Sequence, residues 1–146
     1  MSDVLGFIGI YKFLKNFYPS ELRQIINGFE IVFPTVEHYY QAMKATNFED
    51  LVAIAGAKSP GEAKKLGRKC PIREDWEQVK DSIMYTAVKV KFTKYPELKK
   101  ALLATGDCYI EETNWWGDKY WGVCNGVGQN KLGKILMRVR SELASE

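Results

Sequence analysis

The sequence predicts an α+β domain, mostly α, with about six helices and a small N-terminal β-hairpin. Three observations carry that prediction. Apolar residues recur at helical spacing through most of the chain after Val36. Before that point an Asn27-Gly28 pair stands between apolar runs, which is a strong hairpin signal. Residues 114–133, in contrast, fit neither period, because glycines interrupt them too often.

The elements follow in order. Ile25 and Ile26 lead into Asn27-Gly28 and then Phe29-Glu-Ile-Val-Phe33, two strands and their turn. Pro34 ends the second strand and Thr35 is a suitable N-cap. Val36, Tyr39, Tyr40 and Met43 then give the i, i+3, i+4, i+7 stripe of a buried helix face. Glu37, Gln41 and Lys44 share a neighbouring face, within an arc of about 60°. Asn47 can cap a second helix from Phe48 to Ala55. Ser59-Pro60-Gly61-Glu62 reads as a capping box with proline at the first helical position, and Gly67 as that helix's stop. Asp75 can cap the longest helix, with Trp76, Val79, Ile83, Ala87 and Val90 on one side. Another helix covers 96–105 and stops at Gly106, and 109–112 reads as a short strand. Leu132, Ile135, Leu136, Val139 and Leu143 mark a final amphipathic helix.

The chain has 146 residues, the size of one domain, and 1–146 reads as one continuous domain without repeats or linkers. Hydrophobic residues make up 46% and charged residues 27%, as in ordinary globular proteins. No stretch approaches the roughly 18 consecutive apolar residues of a membrane span, so no membrane partner is expected. The first residues lack a basic region before an apolar run, so no secretory signal is expected. Cys70, Cys108 and Cys124 are odd in number and widely spaced, and there is one histidine. They suggest neither a disulfide framework nor a zinc site, and a reducing cytoplasm fits them best. A net charge of +3 is small for a dedicated nucleic-acid binder. Lys58, Lys64, Lys65, Arg68, Lys69 and Arg73 do crowd together, where they can attract phosphate.

Residues 114–133 hold three of the four tryptophans and five of the twelve glycines. Long irregular loops in compact domains are commonly functional. Flat rings offer stacking surface, and glycines let backbone N–H groups approach a ligand, which suggests a pocket for a nucleotide-like molecule. Gly128 and Gly133-Lys134 have phosphate-loop spacing, but Ile135 stands where Ser or Thr must hold magnesium, so that reading fails. What survives is a glycine turn, Gly126-Val-Gly128, opening into a helix whose N-terminal N–H groups can bind phosphate.

Glu37 falls in a first helical turn, where the helix dipole favours a carboxylate. Gln41, Lys44 and two tyrosines beside it make a ligand-contacting face the sharper interpretation. His38 is expected to be a satisfied structural histidine, and Trp76 with Lys80 either core or a ring-and-cation wall.

Taken together, several blocks resemble the NADAR (YbiA-like) family. They are Phe13-Leu-Lys-Asn16-Phe17-Tyr18-Pro19, then Phe33-Pro-Thr-Val-Glu37-His38-Tyr-Tyr-Gln-Ala-Met-Lys44, and Ala63-Lys-Lys-Leu-Gly67-Arg68. Trp76 with Val79-Lys80, Lys91-Phe92, Thr105-Gly106 and Asp118-Lys-Tyr-Trp121-Gly122 continue the match. Gly126-Val-Gly128-Gln-Asn130-Lys-Leu-Gly133 and Leu136-Met-Arg-Val-Arg140 close it. The resemblance is collinear from about residue 7 to residue 143. Where many members carry Asp-Gly after Trp-Gly, this chain has Val123-Cys124-Asn125, which is similar to compact, often phage-encoded members.

The resemblance implies an N-glycosidase, a hydrolase acting on ribosides. Its substrates would be phosphorylated riboflavin-biosynthesis intermediates or ADP-ribose attached to guanine in nucleic acid. It implies Glu37 and Asp118 as catalytic carboxylates opposite an oxocarbenium-like ribose. Lys44 and Arg68, with the Gly126–Gly133 turn, would hold phosphates. Asn16 and Asn130 would bind ribose hydroxyls, and Phe17, Trp76, Trp121 and Gly122 would complete the substrate contacts. The scheme uses no cofactor and no metal, and places the protein in the cytoplasm, the host's if phage-encoded. The alternative is a non-catalytic sensor that binds ADP-ribose or NAD through the same pocket.

Overall fold

The computed structural model describes residues 2–146 and has six α-helices, one 3-10 helix and six short strands. The strands form three separate two-stranded pairs. The chain divides into two compact units, Asn16–Lys91 and the residues up to Lys15 together with Phe92–Glu146.

The Asn16–Lys91 unit opens with the expected hairpin, β1 (Leu22–Ile26) antiparallel to β2 (Phe29–Phe33), with Ile26 opposite Phe29 across the Asn27-Gly28 turn. Helix α1 (Val36–Ala42) starts at Thr35, whose side chain accepts from the His38 N–H. The Glu37 N–H donates to the Asn16 carbonyl at 3.1 Å, which satisfies a second donor of the first turn. Helix α2 (Phe48–Ala55) is capped by Asn47 and α3 (Pro60–Lys69) by Ser59, each accepting from the N–H three residues on. Gly67 does not end α3, as the sequence suggests. The helix runs on to Lys69, and the glycine serves close packing instead: a Cβ there would collide with the Gln41 amide of α1.

Helix α4 (Trp76–Lys94) begins where expected. The Asp75 carboxylate, however, accepts two bonds from the Arg73 guanidinium at 2.6 and 2.9 Å. The buried residues of α4 are Trp76, Met84, Ala87, Val88, Lys91 and Phe92, and Val90 is exposed. The expected face therefore holds at Trp76 and Ala87, with Val79 and Ile83 half-buried, and fails toward the C-terminal end, where Lys91 is buried in place of Val90.

The other unit holds a 3-10 turn (Gly9–Leu14), α5 (Pro96–Ala104) and α6 (Lys131–Ala144). A strand Val4–Leu5 pairs in parallel with Ile110–Glu111, the strand read from 109–112. Leu132, Leu136, Val139 and Leu143 bury the apolar face of α6. Phe13 meets Phe92 edge to face at 6.2 Å between ring centres. Within the irregular stretch, Thr113–Asn114 pairs in parallel with Val123–Cys124. Cys124 and Val127 then exchange hydrogen bonds of 2.9 and 3.0 Å across Asn125-Gly126, a second Asn-Gly turn.

Candidate active site

Helix α1 is buried nearly all round, polar residues included. Glu37 is 7% exposed, His38 1% and Gln41 3%. Burying that much polar surface is unfavourable unless each group is bonded, so where those bonds go indicates what the helix is for.

His38 is fully engaged. Its Nε2 lies 3.0 Å from the Ala57 carbonyl, which can only accept, so Nε2 carries the proton. The Thr35 hydroxyl lies 2.8 Å from Nδ1 and accepts the His38 N–H at 3.1 Å, leaving its own proton for Nδ1. This is the structural histidine that the sequence suggests.

Glu37 and Gln41 are one helical turn apart, and Gln41 Nε2 donates to a Glu37 carboxylate oxygen at 2.6 Å. The other end of that amide, Oε1, is buried without a hydrogen-bond partner. An orphaned buried acceptor costs about 1–3 kcal/mol. Lys44 lies two residues past the end of α1. Its ammonium stands over the Tyr40 ring at 5.4 Å and the Trp76 ring at 5.8 Å, and those rings are 5.0 Å apart. Trp76 is itself buried, so it is core and cation wall at once.

Burial pushes the Lys44 ammonium below its ordinary value. Glu37 opposes that shift, while Arg68, Lys64 and Lys80 add to it. Lys80 is itself paired with Glu77 at 2.6 Å, whereas Lys44, Lys64 and Arg68 disfavour one another near Glu37, a field that an anion would relieve. Arg68 is exposed and Lys64 half-buried on α3, one turn apart. Asn16 is half-buried, with its amide 3.5 Å from the Met84 sulfur, and Phe17 next to it is 42% exposed. Glu37, Lys44, Arg68, Trp76, Asn16 and Phe17 thus belong to one compact unit.

Asp118, Trp121, Gly122 and Asn130 belong to the other unit. One Asp118 oxygen accepts the Tyr120 and Trp121 N–H groups at 3.1 and 2.9 Å, so this carboxylate shapes the turn that presents Trp121. Trp121 is half-buried and meets Tyr120 edge to face at 4.9 Å. Gly122 packs against Glu112 and Asn114 with no room for a Cβ. Asn130 is 3% exposed and braces the chain. Its Oδ1 accepts the Glu112 N–H at 3.0 Å, and its Nδ2 donates to the Ile110 carbonyl at 2.9 Å and toward the Tyr109 hydroxyl at 3.3 Å.

The helix N-terminus expected to hold phosphate is occupied by the chain itself. The N–H groups of Gln129, Asn130, Lys131 and Leu132 donate to the carbonyls of Lys119, Gly122, Tyr120 and Trp121. The glycines there serve the fold of the loop, and the α6 start is not an open anion site. Among the described residues, three buried charged side chains carry no expected role, Lys91, Glu112 and Arg140, exposed 1%, 8% and 9%. Lys91 continues the Met84, Ala87, Val88 spacing by one step, but a lysine at that step reads as polar surface, so the pattern hides its burial. Glu112 ends the stretch read as a short strand, 109–112, which is too short for alternation to show which residues are buried.

The chain belongs to the NADAR domain family, whose model matches residues 7–144. A solved relative, the NMR structure of the E. coli protein YbiA, superposes with a TM-score of 0.82 at 34% identity. The match covers 99% of this chain and 88% of that one. In sequence, N-glycosidase YbiA of Escherichia coli strain K12 is 40% identical over 117 residues, 77% of this chain and 72% of that protein. The chloroplastic riboflavin biosynthesis protein PYRR of Zea mays is 39% identical over 148 residues, 92% of this chain, which spans only 24% of the maize protein.

Proposed function

We propose that the chain hydrolyses the N-glycosidic bond of a phosphorylated riboside, either a riboflavin-pathway intermediate or ADP-ribose attached to guanine. N-glycosidase chemistry is what its family and its named N-glycosidase relatives support. The riboflavin direction draws on relatives named for riboflavin biosynthesis.

The observation that carries the reading is the buried Glu37 carboxylate, bonded by Gln41 and beside Lys44. Departure of the base leaves positive charge on the ribose ring carbon and oxygen. A fixed carboxylate in a water-poor setting stabilises that charge as it grows, or takes a proton from the attacking water. Lys44, Lys64 and Arg68 supply the opposite requirement, attraction for a phosphate that keeps the ribose in place. Phe17 and Asn16 are proposed to contact the sugar and base. Trp121 is proposed as a stacking surface for a base, with Asp118 holding its turn.

The test is incubation of the protein with phosphorylated pyrimidine-amine ribosides and with ADP-ribosylated guanine oligonucleotides, followed by chromatography for released base and ribose phosphate. Release of a free base or amine supports the reading. Tight binding of ADP-ribose with no release from any of these would support the sensor instead.

A further inference from the structure

We propose that Gln41 is the positioning residue of the Glu37 carboxylate, and that Gly67 of α3 is the residue that admits it. The proposal rests on the reading of Glu37 as the charged group of the site.

Gln41 is 3% exposed and gives its amide N–H to Glu37 at 2.6 Å. Only this orientation of the amide works, because a flipped one would set Oε1 against a carboxylate oxygen. The orientation leaves Oε1 buried without a partner, against the backbone of Gly67. Leucine or methionine would fill the same volume with no orphaned atom. A glutamine that carries such a defect, beside a helical glycine that makes room for it, points to the value of its N–H. That N–H fixes the carboxylate's rotamer and favours its charged form. The other charged groups here are Lys44, with Lys64, Arg68 and Lys80 around it, and Glu77, which accepts from Lys80 at 2.6 Å. Arg68 is exposed, Lys64 is half-buried and Lys80 is engaged by Glu77, whereas the Gln41 amide donates to Glu37 itself and packs against Gly67.

The test compares wild type, Gln41→Met, Gln41→Glu and Glu37→Gln on one riboside across a pH series. Gln41→Met should lower kcat about tenfold or more, with KM moving less than about threefold. The acidic limb of its kcat profile should move up by about one pH unit, and that of Gln41→Glu further, since a second carboxylate replaces the donor. Carboxyl 13C NMR, with the Glu37 signal identified by its loss in Glu37→Gln, should show the same upward shift without any turnover. An acidic limb and a Glu37 titration unchanged in Gln41→Met overturn the proposal, whatever happens to kcat. Should Gln41→Met not fold, Gln41→Glu keeps the length and shape of the side chain and carries the same comparison. Failure of the underlying reading looks different. Glu37→Gln would then turn over normally, while the NMR titration still decides whether Gln41 holds that carboxylate.

Discussion

The amide oxygen of Gln41 on α1 occupies the space that a β-carbon on Gly67 of α3 would need. Two helices are thereby fixed against each other at the point where Gln41 holds Glu37. Alanine at Gly67 gains helix propensity worth about 1 kcal/mol, so a simple helix argument expects stabilisation. The collision reverses that sign, and Gly67→Ala should lose about 1–3 kcal/mol. Denaturant unfolding of both proteins checks it, and a gain in stability would show that the contact yields easily.

Burial brings the Lys91 ammonium down from 10.5 to about 7. The folded pKa is below the unfolded one, so between about pH 7 and pH 10.5 the unfolded chain binds a proton that the folded chain does not. Stability from this group therefore rises with pH across that window, by at most about 1.4 kcal/mol per unit. Below pH 7 both states are protonated, and the group contributes a constant unfavourable term. Urea midpoints measured from pH 7 to 10 should climb in wild type relative to Lys91→Met, and parallel curves would contradict the assignment.

Asn130 combines a left-handed backbone, φ 52°, with three side-chain bonds that tie α6 to residues 109–112. Alanine would leave the Glu112 N–H and the Ile110 carbonyl without those partners and strain the backbone by about 1–2 kcal/mol more. Asn130→Ala should lower thermal stability by roughly 2–4 kcal/mol. An unchanged melting temperature would mean that water or a neighbour replaces the side chain.

These cases mark how far the sequence can be read. Caps and helices were legible wherever one local rule decides, as at Thr35, Asn47 and Ser59. That Glu37 and Gln41 share a helix face followed from helical spacing, while the bond between them did not. The face of α4 followed only in part, through Trp76 and Ala87, because Lys91 is buried by tertiary packing that overrides its polarity. Gly67 looked like a stop because a glycine near a helix end usually is one, and its partner Gln41 lies 26 positions earlier in the chain. The loop at 114–133 hid a second Asn-Gly turn, at 125–126, with the same signal that revealed the first. The use of the α6 N–H groups by Lys119, Tyr120, Trp121 and Gly122 is invisible to any local pattern.

Trp121 is held by two N–H bonds to Asp118, its own and that of Tyr120, and packs on Tyr120. As the proposed stacking surface it should contribute about 1–3 kcal/mol to binding. Trp121→Ala should therefore raise the Kd for the riboside in calorimetry, while circular dichroism stays that of the wild type. Unchanged affinity in a folded variant would remove this ring from base recognition.

Glu37→Gln keeps the size of the side chain and its ability to bond Gln41, and removes only the charge. A carboxylate that acts on the oxocarbenium-like transition state matters far more to turnover than to ground-state binding. Single-turnover hydrolysis of a riboside that the wild type cleaves, run with saturating Glu37→Gln protein, measures that difference directly. The expected result is a rate lower by about a hundredfold or more, with a riboside Kd within about threefold of wild type. A folded Glu37→Gln protein that cleaves at the wild-type rate would contradict the account.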